Sequence, residues 1–349
     1  RDGRWAKAVC RLSGQDEELL EIHFGAHRVT CSTKEHRWPV LGPQGQIRKV
    51  DAKDLKIGDL VPLSRNEPTG MCADTALTED DGFFAGCLFS KGWAPLNESS
   101  VESHPCTWVF SDRDRNLAQR LASCINARKK QALIVEERPN GTLALICTDV
   151  SVVEETHQRF GWDDDKTSLP SVIWRSNDAF VRGFVDGLFS ADGVVEEHRE
   201  RGPAIRLTTA HHNVAVEISK LLSFYGVATT ISDDSASDAC FFARCLRHRS
   251  PKEWVVEVPH NQVGRFNRVF SLSQASKARR LSDIAKVASD VEDEYAVITD
   301  IKAGGRARVW DISVYHDEHV FPVQYTYTGN CGEIPLPPYG VCLLSSINL

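Results

Sequence analysis

One helical segment, residues 180–194, constrains the fold more than any other part of the sequence. Gly187 and Ala191 lie four positions apart, so both fall on one face of the predicted helix, where small side chains let a partner helix approach closely. Asp192 follows at the end of the helix, and Gly193 is a residue type that often ends one. The segment therefore predicts a closely packed helix that carries a carboxylate at its C-terminal end.

A related copy of this pattern lies upstream, at residues 83–93. Gly86 takes the place of Gly187, and 101 residues separate the two glycines. The position that corresponds to Asp192 holds Lys91, and a lysine cannot bind Mg²⁺, which takes oxygen ligands. The sequence thus predicts two related halves in one chain, with different side chains at the ends of their central helices.

The flanks of the second segment make a family resemblance specific. Three flanking blocks match: residues 166–174 (KTSLPSVIW), 204–210 (AIRLTTA) and the predicted helix at 214–225. Together with residues 180–194 they closely resemble the LAGLIDADG homing endonucleases. The resemblance implies an α/β pseudo-dimer at residues 70–290 that binds double-stranded DNA at a specific gene site, with Asp192 as catalytic acid and Mg²⁺ ligand. With Lys91 at the other end, we expect a degenerate endonuclease, unless a nearby acid such as Asp80 or Asp81 substitutes.

The dipeptide Asn330-Cys331 near the C-terminus carries chemistry of its own. An asparagine side chain can attack its own backbone carbonyl and release the following residue, while a cysteine thiol can accept an acyl group. Residues 309–331 resemble the C-terminal splicing blocks of inteins. This resemblance implies Asn330, Cys331, His319 and Asp311 as splicing residues, and His319 is expected to protonate the leaving amine or polarise the carbonyl.

A matching N-terminal block lies within residues 1–66. The pattern Thr33-x-x-His36, followed by DLKIGDLVPL at residues 54–63, is similar to the second N-terminal splicing block, in which the threonine and histidine activate the upstream amide. We therefore expect an α+β chain: a β-rich Hint splicing domain, residues 1–66 and 293–330, interrupted by the α/β endonuclease pseudo-dimer.

Two departures from the intein pattern affect the expected chemistry. No block with a nucleophilic Cys or Ser opens the sequence, so we expect the chain to start downstream of that block and to need a missing N-terminal part for splicing. Gly329 stands where inteins usually carry a histidine. His319 is therefore the main candidate for assisting cyclisation, and Gly329→His is expected to accelerate cleavage after Asn330.

Residues 331–349 resemble a third kind of protein. CGEIPLPPYGVC followed by SINL is similar to the active-site strand of the ribonucleotide reductase large subunit, closest to the adenosylcobalamin-dependent class. The resemblance implies Cys331 as the radical cysteine, Glu333 as the catalytic glutamate and Cys342 as one cysteine of the reducing pair. Adenosylcobalamin would serve the complete host enzyme, and this short extein strand is not expected to reduce nucleotides alone.

Composition narrows the setting of the protein. The 349 residues allow two or more cores, and no apolar run approaches the ~20 residues of a membrane helix. Eleven cysteines without a C-x-x-C pair suggest neither a zinc ribbon nor a disulfide framework, so we expect a reducing cytoplasm and no membrane. The net charge of -7 excludes a uniformly basic nucleic-acid binder, but residues 241–280 are rich in Lys and Arg. They either face phosphates or form a solvated surface.

Two alternatives remain open at the level of sequence. The chain could be a DNA-binding LAGLIDADG module that does not cleave. It could also be defined by its host, as a fragment of a vitamin B12-dependent ribonucleoside-diphosphate reductase.

Overall fold

The computed structural model describes most of the chain. The described residues are 7–24, 28–63, 76–93, 106–111, 114–128, 133, 135–139, 141–147, 159–160, 166–198, 202–233, 253–287, 295–315, 320–323 and 326–329. The chain divides into two compact units. Unit 1 is discontinuous, Arg1–Arg65 with Asp293–Leu349, and unit 2, Asn66–Glu292, is inserted between its two parts.

Both strands and helices occur in the described ranges. The strands are β1 (Ala8–Phe24), β2 (Arg28–Thr33), β3 (Arg37–Leu41), β4 (Ile47–Asp51), β5 (Leu60–Pro62), β6 (Gly92–Trp93), β7 (Cys106–Ser111), β8 (Val135–Glu137), β9 (Thr142–Cys147), β10 (Val194–His198), β11 (Gly202–Thr209), β12 (Thr230–Asp233), β13 (Trp254–Val258), β14 (Tyr295–Val314), β15 (Val320–Val323) and β16 (Thr326–Gly329). The helices are α1 (Glu79–Lys91), α2 (Arg115–Arg128), α3 (Asp178–Ala191), α4 (His212–Phe224), α5 (His260–Val269) and α6 (Ala275–Val287). Short 3-10 turns occupy Ala52–Asp54 and Ser171–Arg175.

Unit 1 is built around a long antiparallel ribbon of β1 and β14. Its main sheet has the order β2-β1-β14-β5, and β3-β4 and β15-β16 form two further pairs. The ribbon runs from Ala8 opposite Val314 to Phe24 opposite Ile298, with several register shifts. At its end, Tyr295 pairs with Pro62 of β5. The two sequence-distant parts of unit 1 are thus joined by backbone hydrogen bonds.

The core of unit 1 is small and lies where the sheets meet. Phe24 and Trp38 are buried with their ring centroids 5.6 Å apart, and the Trp38 indole donates to the Ser32 hydroxyl at 3.2 Å. Strand β16 contacts β3 and β5. This packing brings the C-terminal strands against the N-terminal part of the unit.

Unit 2 consists of two halves with the same arrangement. Each half has a four-stranded antiparallel sheet, β6-β7-β9-β8 in the first and β10-β11-β13-β12 in the second. Helix α1 packs directly against α3, and one apolar core surrounds the pair. The side chain of Asn177 starts α3 by accepting a hydrogen bond from the Phe180 N–H at 2.9 Å. Within the described ranges, every helix is too short or too polar to cross a membrane.

Candidate functional site

Four glycines form the contact between α1 and α3. They are Gly82 and Gly86 on α1 and Gly183 and Gly187 on α3. A Cβ built on any of them would lie less than 3.0 Å from a backbone carbonyl oxygen of the other helix. The oxygens concerned are those of Phe180 for Gly82, Phe184 for Gly86, Glu79 for Gly183 and Phe83 for Gly187. Only glycine allows this close approach of the two backbones.

The four contacts form two equivalent pairs, in which the two helices exchange roles. Every glycine and every carbonyl on α1 has its counterpart on α3, 101 residues later. The close approach expected at Gly86 and Gly187 is present, but its second point is Gly82 and Gly183, one turn before them, and not the predicted Ala191, which lies one turn after Gly187. The repeated four-residue glycine spacing was the sequence signal for the missed pair.

This register makes Lys91 the structural counterpart of Asp192. Asp192 is half-buried and caps α3, with its N–H bonded to the carbonyls of Leu188 and Phe189. Helix α1 ends at Lys91. The two halves therefore present different residues at the same end of the central helix pair.

The suggestion that Asp80 or Asp81 replaces the missing acid is wrong. Both lie in the first turn of α1, ten or more residues before Lys91, which is about 15 Å along a helix. Asp81 is buried, accepts from the backbone and hydroxyl of Thr78 at 2.7 and 2.8 Å, and pairs with Arg159 at 3.3 Å. The carboxylate of Asp81 thus stabilises the N-terminal end of α1, opposite to Lys91.

A lysine approaches the C-terminal carbonyls of each central helix. Lys277 Nζ donates to the carbonyl oxygens of Phe189, Ser190 and Ala191 at 3.3, 2.7 and 3.2 Å. Lys166 Nζ donates to the carbonyl of Leu88, the counterpart of Phe189, at 3.0 Å. Lys166 also has a φ of 46°, a conformation that non-glycine residues rarely adopt. Sequence reasoning assigned a structural role to neither lysine.

The basic stretch at residues 241–280 is therefore partly internal. Besides Lys277, Arg265 donates to the Tyr225 carbonyl at 3.2 Å and Arg280 to the Val195 carbonyl at 3.0 Å. Its residues 241–252 lie outside the described ranges. Lys277, Arg265 and Arg280 hold helices in place, which neither of the two sequence interpretations anticipated.

The described residues near Asp192 do not form a Mg²⁺ site by themselves. Mg²⁺ prefers octahedral oxygen ligands, of which proteins commonly supply one or two carboxylates. Asp192 offers one carboxylate, and the carbonyls of residues 189–191 already accept from Lys277. No group of three or more His, Cys, Asp or Glu side chains in the described part of the chain could hold a metal ion.

An ion pair between a buried carboxylate of α3 and an arginine of α2 joins the two halves of unit 2. Asp186 of α3 is 1% exposed and accepts from Arg120 of α2 at 2.5 Å. Ser190 and both the N–H and the hydroxyl of Ser273 also donate to its carboxylate, at 2.6 to 2.7 Å. Ala85 occupies the equivalent position on α1, so this network exists on one side only.

In unit 1, His36 meets the last described strand of the chain. Its Nε2 lies 2.5 Å from Oγ1 of Thr328, a 2% exposed residue on β16. Burial lowers the pKa of His36 below its usual value, and the nearby Asp311 carboxylate opposes this shift. The Thr33 carbonyl accepts from the His36 N–H at 3.2 Å. Thr33, His36 and Asp311, predicted from separate blocks, thus lie in one unit.

Asp311 has an unsatisfied oxygen. Its Oδ2 accepts from the Ser313 hydroxyl at 3.3 Å, while its buried Oδ1 has no hydrogen-bond partner among the described residues. The remaining predicted residues lie outside the described ranges. They are His319, Asn330, Cys331, Glu333 and Cys342.

The structure contradicts the expectation that a histidine at position 329 would help. A Cβ on Gly329 would lie less than 3.0 Å from the carbonyl oxygen of Arg37, a backbone atom of β3. A larger residue would push β16 away from the turn that holds His36. The glycine is required by this close approach.

Comparison with known proteins supports one part of the chain most directly. A sequence model of the LAGLIDADG-like domain matches residues 179–242, and unit 2 thus contains a LAGLIDADG-like domain. The homing endonuclease I-DmoI, solved in complex with its target DNA in the presence of Mg, is 12% identical. That match covers 55% of this chain and 95% of the other, with a TM-score of 0.39.

Two curated relatives extend over most of the chain. The ribonucleoside-diphosphate reductase NrdEB subunit alpha of Bacillus subtilis is 21% identical over 93% of this chain and 31% of its own length. The DNA-directed RNA polymerase subunit Rpo1C of Methanocaldococcus jannaschii is 20% identical over 83% of this chain and 34% of its own length. The chain therefore spans about a third of each of these relatives.

Proposed function

We propose that this chain is the larger part of a self-splicing intein that carries a homing-endonuclease-like domain. The observation that carries the proposal is the contact between His36 and Thr328. It joins the N-terminal block to the strand that precedes Asn330, inside a β-rich unit that an inserted LAGLIDADG-like domain divides.

The two curated relatives support this proposal because their names describe unrelated enzymes. A reductase subunit and a polymerase subunit have no activity in common in their names, yet each resembles more than four-fifths of this chain. A segment inserted into both kinds of host explains similarity of that extent. The reductase match also agrees with the resemblance of residues 331–349 to a ribonucleotide reductase.

The chemistry proposed at the downstream junction uses the chain's own groups. The Asn330 side-chain nitrogen attacks the Asn330 carbonyl carbon, the bond to Cys331 breaks, and the departing amine of Cys331 takes up a proton. The product is a C-terminal succinimide. An imidazole that delivers this proton contributes roughly 10²- to 10⁴-fold in rate. His319 is the proposed donor, and the Cys331 thiol is the proposed acceptor of an upstream acyl group.

Host chemistry would follow splicing. In the complete reductase, Cys331 would serve as the radical cysteine, with Glu333 and Cys342 beside it and adenosylcobalamin as cofactor. For unit 2 we propose binding of double-stranded DNA through its LAGLIDADG-like domain, without the double-strand cleavage of an intact enzyme.

Mass spectrometry of the purified chain tests the splicing proposal. At neutral pH with thiol, we expect slow release of residues 331–349, and Asn330→Ala should abolish it. His319→Ala should nearly abolish it as well. Release that persists in the Asn330 variant would show that asparagine cyclisation is not the reaction.

A further inference from the structure

Strand β16 contacts the chain where β3 begins, and two consecutive residues on each side take part. Thr328 meets the ring of His36, and Gly329 fits against the carbonyl of Arg37. The strand that leads to Asn330 is therefore held against the histidine that resemblance assigns to the upstream junction.

The backbone of His36 is already fixed. Its N–H donates to the Thr33 carbonyl at 3.2 Å, and its own carbonyl accepts from the Ala52 N–H at 2.8 Å. The ring lies edge-on to Trp38, with centroids 5.7 Å apart. Of the contacts to the ring, Thr328 supplies a hydrogen bond to one nitrogen.

That hydrogen bond can select the state of the ring. A neutral histidine carries its proton on one nitrogen and accepts at the other, and a threonine hydroxyl can donate or accept. Burial lowers the pKa of the ring and so favours its neutral form, while Asp311 opposes this shift. Whichever role Thr328 takes at Nε2 determines the role left to Nδ1.

We propose that Thr328 is a positioning residue for His36, and that it couples the strand leading to the downstream junction to the histidine of the upstream block. This inference rests on the proposed splicing function. By fixing the orientation and tautomer of the His36 ring, Thr328 makes chemistry at one junction depend on the integrity of the other.

Three variants of the full chain test this role. Thr328→Val removes the hydroxyl and keeps the shape, while Thr328→Ser keeps the hydroxyl. Thr30→Val is the matched control, because Thr30 is also buried in unit 1 and its hydroxyl has no hydrogen-bond partner among the described residues. NMR of the ¹⁵N-labelled histidine rings reports the tautomer of His36, and mass spectrometry reports the release of residues 331–349.

We expect Thr328→Val to shift the His36 ring towards a mixture of tautomers. Release should slow about tenfold, because the strand that leads to Asn330 loses the hydrogen bond that holds it to His36. Thr328→Ser and Thr30→Val should resemble the parent in both measurements. An unchanged His36 spectrum in Thr328→Val would overturn the proposal, as would equal effects of Thr328→Val and Thr30→Val. If Asn330→Ala fails to stop release, the splicing proposal fails, and the ring spectra still decide the role of Thr328.

Discussion

The two halves of unit 2 agree where their helices cross and differ where those helices end. At the crossing, four glycines and four carbonyls follow one two-fold relation. Towards the ends, Asp192 has Lys91 as its counterpart in sequence, and Asp186 has Ala85. Close packing requires glycine at each crossing point, whereas the ends of the two helices carry different side chains. The comparison shows that two halves can share one helix crossing while the ends of their central helices differ.

The largest effect should come from restoring an acid to the first half. We expect the parent chain with Mg²⁺ to yield no linear product from a supercoiled plasmid that carries the intein-free reductase site. Lys91→Asp should convert plasmid to linear product, because it removes a cation and adds an oxygen ligand. Two unit charges at 4 Å interact by ~4 kcal/mol at an effective dielectric of ~20. Abundant linear product from the parent would refute the functional difference between the halves.

Removing the one-sided ion pair should give the largest loss of stability. Asp186→Ala leaves Arg120 the exposed Asp80, at 3.6 Å, as its ion-pair partner among the described residues and removes the acceptor of the Ser190 and Ser273 donors, so we expect a loss of about 3 kcal/mol in the free energy of unfolding. The estimate is at the low end because the Arg120 side chain is 32% exposed. Urea denaturation measures it. Arg115→Ala, on the same helix as Arg120, is the control: its pair with Glu137 of β8 is exposed and should be worth less than about 1 kcal/mol.

The glycine crossing should respond equally on both sides. Gly86→Ala and Gly187→Ala each place a methyl group against a carbonyl of the opposite helix, so each should cost about 2 kcal/mol. The same denaturation experiment compares them. If the losses in unfolding free energy of the two variants differ by more than about 2 kcal/mol, the two crossing points do not contribute equally to stability.

The smallest effect should separate the two lysines. Lys277→Met removes a cation from three carbonyls at the end of α3 and should cost about 1 kcal/mol. Lys166→Met removes one such bond at α1 and should cost less. Thermal unfolding of both variants tests this order, and a larger loss for Lys166 would contradict it.

Residue spacing along the sequence predicted the features that depend on neighbouring residues. The helix before Asp192 and the equivalence of Gly86 and Gly187 follow from residue spacing, and the sequence contained both. The roles of Lys166 and Lys277 depend on tertiary packing that brings distant chain segments to the helix ends. Such pairings leave no periodic trace.

Position 329 shows the same limit from the other side. Family comparison suggested that a histidine would be an improvement there. The carbonyl of Arg37 occupies the space that its Cβ would need, and Arg37 lies far away in sequence. Thr328 was equally invisible, because its partner His36 belongs to the other part of unit 1.

The pairing of Pro62 with Tyr295 bears on whether unit 1 needs unit 2 in order to fold. These residues stand near the two points where unit 2 leaves and re-enters unit 1, and paired Cα atoms in such a ladder are only about 5 Å apart. A gap of that size can be closed by a short turn, and loop closure costs only about 0.6 kcal/mol more for each doubling of loop length. We therefore expect the β-rich unit to fold with a short turn in place of unit 2.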